Sequence, residues 1–151
     1  MSFNKCQFRE LISDTLEEAG LYSEDAVNLL MGTAAQESGF GTYLKQLKSG
    51  PAVGVFQMEP ATFKDIIHNY LRYKPELFEK VRSFCMELEA DEMIWNLKFA
   101  IIMARVQYFR RREPLPNNLS GYAKYWKKFY NTPEGRGTEE EFIRNYKKYV
   151  L

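Results

Sequence analysis

A chain of 151 residues, 45% hydrophobic and 15% aromatic, holds enough apolar material for one packed domain, is too short for two ordinary ones, and is excluded from the disordered class. Its net charge is only +1, but the charge is unevenly laid out: residues 1–95 carry 9 Lys/Arg against 15 Asp/Glu, and residues 96–151 carry 12 against 5. So basic a C-terminal third suits an anionic partner, whether cell-wall polymer, nucleic acid or membrane surface, with a solvated face as the default reading.

The N-terminus shows no basic region followed by an apolar one, so no Sec-type signal peptide is expected. The longest purely apolar run, Phe99 to Ala104, is far short of the roughly 20 residues a bilayer requires, and the sequence predicts a soluble protein without stable membrane insertion. Cys6 and Cys85 read as buried free thiols in helical, apolar contexts. The single histidine, His68, has no second His or Cys nearby, so neither a metal nor another cofactor is assigned. Ser38 has no base placed to activate it as a nucleophile.

In chain order the elements are almost all helical. Residues 5–19 set Phe8, Leu11, Ile12, Leu16 and Ala19 on one face, and Gly20 stops the helix. Ser23 can cap a second helix, Glu24 and Asp25 suit the positive end of its dipole, and Gly39 or Gly41 ends it. Glu37 then falls in its last turn, where the carbonyl ends of the dipole and apolar neighbours such as Phe40 and Phe56 raise a carboxyl pKa. A carboxylic acid protonated near neutrality is a general acid; the alternative is one more solvated carboxylate. Val53 to Phe56 reads as a short extended segment, giving at most a small β element near residues 50–58.

Pro60 opens a helix to about Tyr70 and Pro75 another to about Phe84. A helix from about Glu89 to Arg111 carries two apolar stripes, one through Ile94, Leu97, Ile101, Ala104 and Tyr108 and one through Trp95, Phe99, Ile102, Val106 and Phe109, so it is the buried centre of the domain. Arg110-Arg111-Arg112 suits the negative end of its dipole, with ligand binding as the alternative. After Pro114 and Pro116, residues 119–130 interleave Tyr122, Tyr125, Trp126, Phe129 and Tyr130 with Lys124, Lys127 and Lys128. At helical spacing these aromatics read as core on one side with lysines in solvent on the other; stacking on bases or sugars is the alternative. Thr138-x-x-Glu141 is a capping box for the last helix. The chain is therefore read as a single mainly α domain, residues 1–151, around a buried central helix.

Gln36-Glu37-Ser38-Gly39-Phe40 resembles the Glu-Ser-x-Phe signature of soluble lytic transglycosylases and goose-type lysozymes. Gly54-Val55-Phe56-Gln57-Met58-x-Pro60-x-Thr62 is similar to that family's Gly-Leu-Met-Gln-x-x-Pro-x-Thr segment. Asn96-Leu97 with Ala100 and Tyr108 resembles its Asn-Ile-x-x-Gly helix, and Phe129-Tyr130-Asn131-Thr132 its Ala-Tyr-Asn-Ala-Gly turn. Trp126 to Thr138 also looks like tailed-phage peptidoglycan hydrolases. Ala100 stands where glycine is usual, and Thr132-Pro133 replaces the small residues after Tyr-Asn, departures that point to a differently shaped cleft.

The resemblance implies a lysozyme-like fold and cleavage of the MurNAc–GlcNAc β-1,4 bond of peptidoglycan, lytic transglycosylase favoured over hydrolytic lysozyme, with Glu37 as general acid and base. It further implies substrate contacts from Phe56, Gln57, Tyr130 and Asn131, with Ser38 positioning the glutamate or the substrate. For Ser38 the competing role is helix capping, and for Gln57 a loop amide satisfying backbone. Glu59 and Asp65 are the nearest candidates for a second acid, but a single-acid site is favoured. Implied partners are glycan strands and phage structural proteins. The expected setting is a phage virion, or the host cytoplasm before lysis, with action on the wall from the periplasm. Two other readings compete, a non-catalytic wall-binding or virion protein and, least favoured, a helical nucleic-acid module.

Overall fold

The computed structural model describes residues 1–151 and contains seven α-helices, so the mainly α expectation holds. Helix α1 (Lys5–Glu18) starts where the Asn4 side chain accepts the Gln7 N–H, and it buries Phe8, Ile12, Thr15 and Leu16. Gly20, at φ 71°, ends it by letting Gly20 N–H bond Glu17 O at 3.0 Å and Leu21 N–H bond Leu16 O at 2.8 Å. Helix α2 (Glu24–Ser38) starts on Ser23 Oγ, which accepts Ala26 N–H at 3.0 Å. It packs against α1 and three later helices, which is why Val27, Leu30, Met31 and Ala34 are almost wholly buried. Helices α3 (Pro60–Asn69) and α4 (Pro75–Arg82) each begin on proline, whose missing N–H is no loss in a first turn.

The long helix expected from Glu89 to Arg111 is shorter. A 3-10 turn over Ala90–Ile94 comes first, Asn96 then accepts the Phe99 N–H at 3.0 Å, and helix α5 runs Leu97–Phe109. The cause is Glu92. Its buried carboxylate accepts the N–H groups of Met86 and Glu87 and the Asn96 amide, at 2.8–3.2 Å. Burial opposes that charge, yet the hydrogen bonds from Glu87, Met86 and Asn96 hold its pKa below the usual carboxylate value. Residues 84–96 are thus tied as a loop. Trp95, 63% exposed, and Phe109, 44% exposed, leave the apolar stripe assigned to them.

Within α5, however, ten successive residues from Phe99 to Tyr108 are buried. Two are polar and both are satisfied: Arg105 Nε donates to Leu21 O at 3.0 Å and Gln107 Nε2 to Phe129 O at 3.1 Å. Truncating a fully buried residue here, such as Ile101 to Ala, would cost about 2–5 kcal/mol.

Helix α6 (Leu119–Trp126) is also shorter than expected, because Lys127–Asn131 continue it as a π turn. Its aromatics are core, as the spacing predicts: Tyr122, Tyr125 and Trp126 are buried while Lys124 and Lys128 are exposed. Helix α7 (Glu139–Tyr149) starts on Thr138, which accepts the Glu141 N–H at 3.1 Å, and packs on α2 and α6. The run from Val53 is not a strand: Lys45–Val53 and Val53–Met58 form isolated bridges, and Gly54–Gln57 is the turn between. The cysteines are free but not buried, Cys6 being exposed and Cys85 half-buried.

Candidate active site

Glu37 is placed by the way α2 ends. Ser38 Oγ donates to Ala34 O at 3.2 Å and accepts the Gly41 N–H at 2.9 Å. Gly39 and Phe40 both stand at φ 57°, and Phe40 N–H reaches Ala34 O at 3.0 Å, so the chain reverses directly after the acid. A left-handed phenylalanine costs about 1–2 kcal/mol. Its ring is fully buried, edge-on to Phe8 at 5.3 Å, which offsets that strain.

Trp126 Nε1–H donates to Glu37 Oε2 at 2.9 Å, and the Tyr43 hydroxyl donates to Glu37 O at 2.8 Å. Burial pushes the Glu37 carboxyl up from 4.5 to about 7, against the Trp126 hydrogen bond, which favours the charged form. Glu37 as a whole is only half-buried and lines a cleft of about 640 Å³, so the carboxyl is enclosed by protein without being sealed from a substrate. The Tyr130 hydroxyl sits well above its ordinary pKa, through burial first and the nearby Glu37 charge second, and remains a donor.

Another wall of the cleft comes from the tight turn after Val53, through Gln57 and Met58. Val53 and Met58 exchange backbone hydrogen bonds at 3.0 and 3.1 Å around Gly54–Gln57. Gly54 stands at φ 82°, and a Cβ there would lie 2.6 Å from the Met93 carbonyl oxygen, so this position requires glycine. Gln57 is held at φ 48° with its Nε2 donating to Gly54 O at 2.9 Å. The Tyr130 hydroxyl donates to Phe56 O at 2.7 Å, joining this turn to the end of α6.

The π turn brings Tyr130 and Asn131 to the cleft, in keeping with the tendency of π segments to sit at functional sites. Lys127 Nζ donates to Asn131 Oδ1 at 2.7 Å and to Gly135 O at 2.8 Å, fixing the loop that follows. Thr132 lines the cleft at φ 80°, ψ 152°, a region natural only to glycine, at a cost of about 1–3 kcal/mol.

Of the residues expected from sequence, Glu37, Gln57, Tyr130 and Asn131 line one cleft. Ser38 and Phe56 do not. Ser38 is fully buried and its hydroxyl is engaged in capping, so it positions Glu37 rather than touching a ligand. Phe56, 2% exposed, points into the core and stacks on Phe8 at 6.3 Å; only its carbonyl serves the site. Among candidate second acids, Asp65 is outside the cleft. It accepts from Asn69 at 2.7 Å and Arg110 at 2.8 Å, and these bonds hold its carboxyl below the usual range. Glu59 lines the cleft from an exposed position before α3, and Glu134 lines it from the loop after the π turn.

Two contributors were not singled out from sequence. Trp126 reads as core by its spacing and is core, but its N–H is the one side-chain donor on the acid. The available signal was its position four residues before Tyr130, one helical turn away on the same face. Tyr43 carries no periodic signal in its loop. No three His, Cys, Asp or Glu side chains converge as a metal-ligand set. Comparison of the chain with protein-family models, with curated proteins and with solved structures finds no match.

Proposed function

We propose that this chain cleaves the MurNAc–GlcNAc β-1,4 bond of peptidoglycan, with Glu37 as general acid and then general base. The observation that carries the reading is a carboxyl pushed to about 7 inside a substrate-sized cleft. Departure of a sugar needs a proton on the glycosidic oxygen, and a carboxylic acid still holds one at neutral pH only when its pKa is raised in this way. The motif resemblance around Glu37, Gln57 and Tyr130 supplies the substrate class.

In the favoured transglycosylase course, Glu37 gives its proton to the leaving oxygen as the bond to the muramic C1 breaks. Its carboxylate then takes the proton of the muramic 6-hydroxyl as O6 closes on C1, leaving an anhydro ring and no added water. One protein carboxylate suffices, in keeping with Asp65 being bound to Arg110 away from the cleft. Gln57 would meet the acetamido group, and Tyr130 and Asn131 would flank the sugar. A hydrolytic course is the second reading, favoured by Glu59 and Glu134 lining the same cleft, where either could activate water.

A phage setting accords with the resemblance of the C-terminal phrase, with the protein carried in the virion or released at lysis to act on the wall. No helix is long and apolar enough to cross a membrane. The test is digestion of purified peptidoglycan by wild type and Glu37→Gln, followed by weighing the fragments. Anhydro ends from wild type alone support the favoured course, and ends one water heavier support hydrolysis. No fragments from folded wild type would leave a wall-binding or virion role.

A further inference from the structure

Arg105 is 7% exposed, yet no carboxylate of the protein pairs with it. The contrast is Arg110, whose guanidinium bonds Asp65 at 2.8 Å and Gln107 Oε1 at 2.7 Å. The bond to Leu21 O at 3.0 Å satisfies the Arg105 Nε–H, the part of the side chain sealed in the core. The two Nη groups at its tip have no acceptor in the protein, and both reach solvent. Holding one carbonyl needs a single donor, whereas a guanidinium brings a whole fork, and the outer edge of this one is left open.

The tip opens on the side of α5 away from Glu37. Gln107 lines the Glu37 cleft, and at about 100° per residue Arg105 stands about 160° round the helix from it. Phe109 follows one turn after Arg105, its ring centroid 5.3 Å from Arg105 Cζ and its side chain 44% exposed. Tyr22, the residue after the Leu21 carbonyl, is 48% exposed. A lone cation is thus set deep in the surface beside exposed aromatic area. Burial pulls its guanidinium below the ordinary pKa, and only the Tyr125 hydroxyl, itself donating to Glu113 O at 2.8 Å, acts the other way. Neither a second cation nor an acid contributes.

We propose that the tip of Arg105 binds a single carboxylate carried on an apolar or aromatic body, on the face of the protein opposite the cleft. The two oxygens of a carboxylate match the free Nη edge in a bidentate pair, and its one charge is the one the buried cation lacks. The apolar body then covers Phe109 and Tyr22. A phosphate polymer is a poorer fit, because it follows a basic track, and the exposed charges flanking Leu21 in the chain are Glu17, Glu18 and Glu24. Such a carboxylate has two sources, a free small acid or an aspartate or glutamate set among apolar residues of a protein partner. The site uses no residue of the Glu37 cleft and stands or falls apart from the reading of that cleft.

The test titrates 15N-labelled protein at constant ionic strength with acetate, phenylpropionate, inorganic phosphate, and blocked Phe-Asp-Phe and Phe-Asn-Phe tripeptides. The Arg105 Nε–H resonance reports occupancy and calorimetry gives the affinities. Acetate and phenylpropionate should both move that resonance to saturation, with phenylpropionate bound about tenfold or more tightly because its ring covers apolar surface. Arg105→Lys keeps a cation but not the fork, and should weaken phenylpropionate binding about tenfold or more. Phe109→Ala changes an exposed side chain, which guards against misfolding; it should keep acetate binding and lose the advantage of phenylpropionate.

Tighter binding of Phe-Asp-Phe than of phenylpropionate would identify a protein partner as the source of the carboxylate, and the reverse order a free acid. The proposal is overturned if no carboxylate moves the Arg105 resonance to saturation, if phosphate binds more tightly than the carboxylates, or if Phe-Asn-Phe binds as well as Phe-Asp-Phe. Undiminished binding by folded Arg105→Lys would overturn it as well.

Discussion

Replacing Glu37 by Gln should stabilise the protein at neutral pH, and the size of the gain follows from the site. The folded carboxyl titrates near 7 against an ordinary 4.5. Between those values the folded chain holds a proton that the unfolded chain has released, so stability falls as pH rises through that window. At about 1.4 kcal/mol per pH unit, wild type loses about 3 kcal/mol between pH 4.5 and 7 through this one group. Glutamine has the same shape, does not titrate, and can still accept the Trp126 N–H. Urea denaturation of both proteins at pH 4.5, 6 and 8 reads the difference. The curves should coincide within error at or below pH 4.5 and separate by about 3 kcal/mol at pH 8, with Glu37→Gln the more stable. Parallel pH profiles for the two proteins would refute the argument, since an unperturbed carboxyl gives no separation in this range.

Three further outcomes follow from the walls of the cleft. Trp126→Phe removes the donor that favours the charged form, so the alkaline limb of the rate profile should move to higher pH, measurable by cleavage rates from pH 6 to 9. Tyr130→Phe leaves the Phe56 carbonyl without its 2.7 Å partner; a loss of about 1–3 kcal/mol in denaturation and a raised KM are expected. Gly54→Ala drives a methyl to 2.6 Å from the Met93 carbonyl at a left-handed position, and thermal unfolding should show a loss of more than about 2 kcal/mol.

How much of this was legible in the sequence depends on whether the determinant was local. Ser23, Thr138 and Gly20 fix helix ends through hydrogen bonds to neighbours within a few residues, and each acts as its type predicts. The break before α5 was missed because Ile94 and Trp95 keep the apolar period, while the interruption comes from Glu92 bonding backward to Met86 and Glu87. Val53 to Phe56 has the composition of a strand, yet Gly54 and Gln57 at positive φ make it a turn, a choice fixed by Met93 packing against Gly54 from a distant segment.

The candidate site divides in the same way. Glu37 stands out as an acid in the last turn of a helix, whereas Gln57 was found through the motif, and its amide also fills the competing role of satisfying loop backbone, at Gly54 O. The resemblance has Ser38 positioning the glutamate or the substrate, with helix capping as the competing role; a small hydroxyl in a final helical turn finds Ala34 O and the Gly41 N–H, which is the capping role. Phe56 was assigned by motif position, and the turn sends its ring to the core instead. Trp126 is the opposite case: burial and function coincide in one side chain, so periodicity accounts for it fully and conceals its contact with Glu37.

The most direct test of the central claim is the rate of peptidoglycan cleavage as a function of pH, for wild type beside Glu37→Gln, with folding of both verified at each pH. Wild type should release glycan fragments at a rate that falls with an apparent pKa of about 7 on the alkaline side, and Glu37→Gln should release none at any pH. Cleavage by Glu37→Gln at the wild-type rate, or a folded wild type that releases nothing, would contradict the account.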